Sequence, residues 1–126
     1  IQILLIKIKI SSYIMYKIYI YYIENCFYSA SALKLLENVN HKKILVPYDK
    51  KYLYKSKLID TFPQIYLKKD DSVGSLLIGG YDDLVFIINT LKKNKDLDKI
   101  KKIFNKKYKN KWANKAILRM IELFVK

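Results

Sequence analysis

Apolar residues recur along this chain in two rhythms, and the change from one to the other marks its elements. From Leu4 the first ten residues alternate, with Leu4, Ile6, Ile8 and Ile10 set against Lys7 and Lys9, which is the period of a strand. Ile18 to Ile23 is apolar on both faces, as in a buried central strand. The rhythm then lengthens. Tyr28 to Asn38 reads as a helix with Ala32, Leu33, Leu36 and Val39 as its inner stripe, and Asn38 and Asn40 suit its end. Ile44 to Val46 is a short strand closed by Pro47, and Lys50 to Leu58 is a weaker helix with Asp49 as N-cap. Gln64 to Leu67 and Leu76 to Ile78 read as strands either side of a polar turn. Asp82 and Asp83 then open a helix that buries Leu84, Ile87, Ile88 and Leu91. The order strand, helix, strand, helix, strand, strand, helix predicts an α/β layer sandwich whose first strand pair is parallel and whose last is a hairpin.

After Leu91 the pattern changes again. Leu97, Ile100, Ile103 and Phe104, then Trp112, Ala116, Ile117, Met120, Ile121 and Phe124, recur at helical spacing among lysines. This predicts two amphipathic helices joined near Lys109-Asn110. The chain so divides into a leader or edge strand (1–16), an α/β domain (17–93) and a basic helical extension (94–126). Charge follows the same division: residues 92–126 hold 12 Lys and one Arg against three acids, a net +10 that leaves +4 to residues 1–91. Lys, Ile, Tyr and Asn are abundant and Gly and Pro scarce, the mark of an AT-rich genome, so a single lysine is weak evidence of function. The extension reads first as a solvated helix face and second as a docking surface for an anionic partner, with nucleic acid the less favoured case.

A membrane span needs about 20 mostly apolar residues. Lys7, Lys9, Ser11, Ser12 and Lys17 interrupt the apolar N-terminal run, so no span is expected. The one cysteine excludes an intramolecular disulfide and an all-cysteine metal site within the chain. It suits a reducing compartment, the cytoplasm, or for a viral gene the host cytoplasm or virion. His41, the one histidine, sits in a polar Asn-His-Lys run and reads as a loop residue, and no zinc-ligand spacing is present.

Three stretches carry candidate chemistry. Cys26 follows the first buried strand and the polar pair Glu24-Asn25, and a helix pattern begins directly after it. Unpartnered N–H groups and the dipole at a helix start favour thiolate over thiol. Ser29 lies one turn on, within reach of the sulfur. Thr61-Phe62-Pro63-Gln64-Ile65-Tyr66 places a proline at a strand start, read on these residues alone as an ordinary trans proline; were its peptide bond cis, the Phe62 backbone would face outward to an extended ligand. Gly79-Gly80-Tyr81-Asp82-Asp83 puts glycines ahead of a helix, where a ligand approaches backbone N–H groups closely and an aspartate caps.

Taken together, Cys26-Phe27-Tyr28-Ser29, the Thr61–Tyr66 stretch and Ile78-Gly79-Gly80-Tyr81-Asp82-Asp83-Leu84 resemble the glutaredoxin family in type and order, over about residues 17–93. The resemblance implies a thioredoxin-like three-layer sandwich, with a four-stranded mixed sheet flanked by helices and the C-terminal helical extension added. It implies a cis Pro63 facing Cys26 and a glutathione groove between Thr61-Phe62-Pro63 and the Gly80–Asp83 turn. Cys26 would be the nucleophile. Phe62 would pair through its backbone with glutathione, and the Tyr81 and Asp82 N–H groups, with an Asp82 or Asp83 side chain, would hold the γ-glutamyl end. Ser29 stands where dithiol members have a second cysteine. Ile23 stands where members carry Lys or Arg, and Lys17, Lys50 and Lys51 are the candidates to replace that charge. The implied activity is glutathione-dependent deglutathionylation of proteins by a monothiol route. The alternatives are a dimeric carrier or sensor of a [2Fe–2S] cluster ligated by Cys26 and glutathione, and a silent binding module.

Overall fold

A computed structural model describes residues 16–69 and 74–125. The alternating stretch 1–10 and the middle of the polar turn at 68–75 therefore lie outside the described residues. Four strands, β1 (Tyr16–Tyr22), β2 (His41–Leu45), β3 (Gln64–Lys69) and β4 (Ser75–Gly79), form one sheet in the order β2-β1-β3-β4. β1 runs parallel to β2 and antiparallel to β3, and β3 and β4 are an antiparallel pair with an irregularity at Ile65/Tyr66. With helix α1 (Phe27–Leu35) crossing from β1 to β2 and α3 (Tyr81–Lys93) following β4, this is a thioredoxin-like α/β arrangement. Between β2 and β3 lie a 3₁₀ turn (Tyr48–Lys50) and the one-turn α2 (Lys51–Tyr54). Helices α4 (Leu97–Lys107) and α5 (Asn114–Phe124) complete the described chain.

The sheet's two faces differ because each strand alternates. Ile18 and Ile20 of β1 and their register partners Leu67 and Ile65 of β3 point to one side and are nearly or wholly inaccessible. Ala32 and Leu36 from α1, and Leu84, Ile87 and Leu91 from α3, close over them. The basic helices add to that same core. Ile100 and Phe104 of α4, Trp112 of the connection, and Ile117, Met120 and Ile121 of α5 are buried in one cluster with the sheet. At about 1.5–3 kcal/mol for each large apolar side chain removed from water, these residues anchor the C-terminal helices firmly. Asp96 caps α4 by accepting the Asp98 N–H at 3.0 Å, and the Arg119 guanidinium lies 5.0 Å from the Tyr16 ring, tying α5 to the start of β1.

Sequence expectations change at several points. α1 ends at Leu35 rather than running to Asn38. Asp49 lies inside the 3₁₀ turn and caps no helix; Lys50 is the N-cap of α2, without a side-chain hydrogen bond. The helix expected over Lys50 to Leu58 stops at Tyr54, where Lys55 turns to extended backbone (ψ 138°). Local polar groups win beyond it: the Ser56 hydroxyl accepts the Ile59 N–H at 3.0 Å and donates to the Ile59 carbonyl, while the Ser56 N–H donates to Gln64 Oε1 at 3.1 Å. His41, expected in a loop, is the first residue of β2, because the Ile18 N–H reaching Asn40 O at 3.0 Å starts the parallel ladder there. Its Nδ1 sits 2.8 Å from Val39 O.

Candidate active site

The site is built where β1 gives way to α1. Asn25 adopts φ 56°, a left-handed conformation that asparagine tolerates better than most residues. That turn delivers Cys26 in extended conformation (φ −115°, ψ 119°) to the N-cap of α1. Its thiol is partly exposed. Burial alone pushes the Cys26 thiol up, but hydrogen bonding from the Ser29 N–H and hydroxyl and from the Tyr28 N–H, together with the positive charge of Lys51, outweighs it and holds the group below the ordinary thiol range. Ser29 is 1% exposed and its hydroxyl also accepts the Ile23 N–H at 3.3 Å, which fixes the oxygen between the end of β1 and the sulfur. Of the three lysines considered as substitutes for a base at Ile23, it is Lys51, on the one-turn helix, whose charge acts on the thiol.

The second stretch arrives opposite. The Phe62–Pro63 peptide bond is cis, and the Cys26 thiol donates a long hydrogen bond to the Phe62 carbonyl at 3.9 Å. The Phe62 side chain is buried and Thr61 is exposed. The β1–β3 ladder ends at Tyr21–Gln64, so the backbone of residues 61–63 lies beyond the sheet pairing. Gln64 anchors this turn from within. Its fully buried amide donates to Ile59 O at 3.0 Å and Thr61 O at 3.1 Å while accepting the Ser56 N–H, so one side chain holds the whole approach to the proline.

The third stretch closes the groove. Gly79 sits at φ 137°, and a Cβ there would run into the Asp83 carboxylate. Gly80 backs onto the cis-proline turn, its Cβ position 3.6 Å from Pro63 O. Asp83 Oδ2 accepts the Gly80 N–H at 3.2 Å, and Oδ1 accepts the Tyr108 hydroxyl of the C-terminal region at 2.9 Å. Asp83 is therefore engaged inward, whereas Asp82 is exposed. Tyr81 meets Tyr28 across the groove, ring centroids 5.7 Å apart, and Tyr28 in turn meets Phe27 at 5.5 Å. So the three stretches lie against one another beside the thiol. Tyr108 is itself stacked on Trp112 at 4.4 Å and 5°, and burial, then the Asp83 charge, then its hydrogen bond to that carboxylate push its phenol well above the ordinary range.

The roles of Gln64 and Tyr108 had no sequence signal: an amide at the start of a strand and a tyrosine just past a lysine-rich helix are recognisable only by what they reach. Among the described residues no group of three or more His, Cys, Asp or Glu is placed to hold a metal ion, and no helix is long and apolar enough to cross a membrane.

No protein-family model matches this chain, and no curated protein matches it. Among solved structures it is similar to glutaredoxin 1 from Francisella tularensis, solved in complex with cacodylate, at 22% identity and a TM-score of 0.49, over 64% of this chain and 100% of that one.

Proposed function

We propose that this protein is a glutathione-dependent thiol–disulfide oxidoreductase that works through Cys26 alone. The observation that carries the reading is the convergence of the α1 start, the cis Phe62–Pro63 turn and the α3 start on a thiol whose ionisation the surrounding groups favour. The Cys26 thiolate attacks the glutathione sulfur of a glutathionylated protein. A bond forms between Cys26 and that sulfur, and the protein's sulfur leaves as thiolate and takes a proton from solvent. A second glutathione thiolate then attacks the glutathione sulfur held on Cys26, releasing glutathione disulfide and restoring the Cys26 thiolate. Ser29 forms no disulfide; its hydroxyl and N–H stabilise the sulfur anion before attack and on release.

Glutathione would lie along the groove with its cysteinyl backbone on Phe62. The γ-glutamyl carboxylate would meet the Tyr81 and Asp82 N–H groups, which open α3 and have no partner within their own helix. Asp83 already serves Gly80 and Tyr108, so Asp82 is the carboxylate left to take the γ-glutamyl ammonium. Lys51 supplies the positive charge near the thiol. The basic helices α4 and α5 form a scaffold behind this groove, and an anionic partner for their lysines remains a separate proposal.

The test is glutathione-dependent reduction of a small glutathione mixed disulfide by the chain and by its Cys26→Ser variant. Turnover that vanishes in the variant supports the reading. Absence of turnover from folded protein sinks it. Anaerobic preparation with iron and glutathione then separates the two alternatives: a brown, Cys26-dependent product points to a [2Fe–2S] carrier, and a colourless one to a silent binding module.

A further inference from the structure

The sheet face turned away from the core has a composition of its own. Tyr19 and Tyr21 of β1 and Tyr66 of β3 share it, with Lys42 of β2 and Lys68 of β3 between and beside them. α2 is one turn long, and among the described residues Leu53, Tyr54 and Lys55 reach over this face, with Ser75 at its edge, and leave a groove of about 330 Å³. No Asp or Glu is among the described residues lining it. The Lys68 and Lys42 ammonium groups lie 5.0 and 5.9 Å from the Tyr19 ring, and Tyr21 meets Tyr54 and Tyr66 at 5.7 Å each.

We propose that this face binds single-stranded nucleic acid, with bases stacking on Tyr19 and Tyr66 and phosphates meeting Lys42, Lys55 and Lys68. A face meant for a protein core would carry branched aliphatic residues, as the opposite side does. Tyrosines set among lysines instead offer flat π-surfaces beside positive charge, which is the demand of an unpaired base and its phosphate. Tyr19 and Tyr66 are direct cross-strand partners, so bases seated on them lie side by side across the sheet. Lysines alone would suit an acidic peptide equally; the aromatic content decides for bases. The inference rests on nothing at Cys26.

The experiment is fluorescence anisotropy of the full chain with labelled oligouridylate of about ten nucleotides, a length within the usual range of single-strand sites, over a salt series. Tyr19→Leu is expected to weaken binding about tenfold or more. Lys42→Gln with Lys68→Gln is expected to flatten the log–log salt slope by about 1.4. The exposed Lys42 keeps the test decisive should the tyrosine variant fail to fold. Ultraviolet cross-linking of the unaltered chain needs no variant: adducts on Tyr19, Tyr21 or Tyr66 support the proposal. Four results overturn it: no binding; adducts confined to residues 92–126; competition by oligoglutamate as strong as by unlabelled oligouridylate, which assigns the face to an acidic peptide; or Tyr19-dependent dimerisation, which assigns it to a second copy.

Discussion

Tyr108→Phe tests whether the basic C-terminal helices hold the α3 start in place. The change removes one oxygen and one hydrogen bond, the 2.9 Å donation to Asp83 Oδ1, and keeps the ring stacked on Trp112 at 4.4 Å. A hydrogen bond to a charged acceptor contributes about 1.5–3 kcal/mol. Asp83 retains the Gly80 N–H and water reaches this half-buried pair, so about 1–1.5 kcal/mol is the expected loss. For a domain of this size that lowers Tm by roughly 5 °C. The pH dependence adds an independent signature. The Tyr108 phenol is held above its ordinary value of 10.0, so the folded chain keeps a proton that the unfolded chain gives up. The stabilisation is complete below pH 10 and is lost as pH rises beyond it. Discounted for solvent screening, the wild type should lose about 1 kcal/mol more than the variant between pH 9 and 11, so the two stability curves converge in alkali. Urea unfolding followed by far-UV circular dichroism and Trp112 fluorescence measures both effects, and the other tyrosines and lysines cancel in the difference. A variant with wild-type stability at pH 7 and an unchanged alkaline profile would refute the reasoning.

Three further substitutions probe the groove. Ser29→Ala removes a hydroxyl that lowers the Cys26 thiol pKa and leaves the Ile23 N–H unpaired; the thiolate absorbance titration should move to higher pH, alkylation at neutral pH should slow, and stability should fall by about 1 kcal/mol. Lys51→Glu reverses the charge that favours the thiolate, so the same titration should move up at low salt, and the difference from wild type should shrink toward 1 M salt as screening shortens to about 3 Å. Gly79→Ala places a Cβ against Asp83 at φ 137° and should cost about 1–3 kcal/mol in urea unfolding, a cost that a glycine elsewhere in the loop would not show.

Much of the fold was legible because periodicity is a local property that burial then enforces. The alternation of Ile18 and Ile20 and the helical stripe of Leu84, Ile87 and Leu91 state which side faces the core before any partner is known. The two amphipathic C-terminal segments were equally plain, as was Cys26 at a strand-to-helix junction, since capping and turn chemistry act within a few residues. The helix expected over Lys50 to Leu58 was not, since it ends where Ser56 and the distant amide of Gln64 compete for the backbone.

What the sequence by itself determined was the order of elements, the inward residues and the identity of the thiol. Tertiary structure alone decided which of Lys17, Lys50 and Lys51 acts on that thiol, since charge works through space and the chain places these residues on different elements. It decided that Asp83 is spent on Gly80 and on Tyr108, 25 residues away, leaving Asp82 exposed. It also decided that one face of the sheet carries tyrosines and lysines under a single helical turn, because strand register, not sequence proximity, brings Tyr19, Lys42 and Tyr66 side by side. Local pattern fixes which way a side chain points, and only the packing of distant elements fixes what it meets.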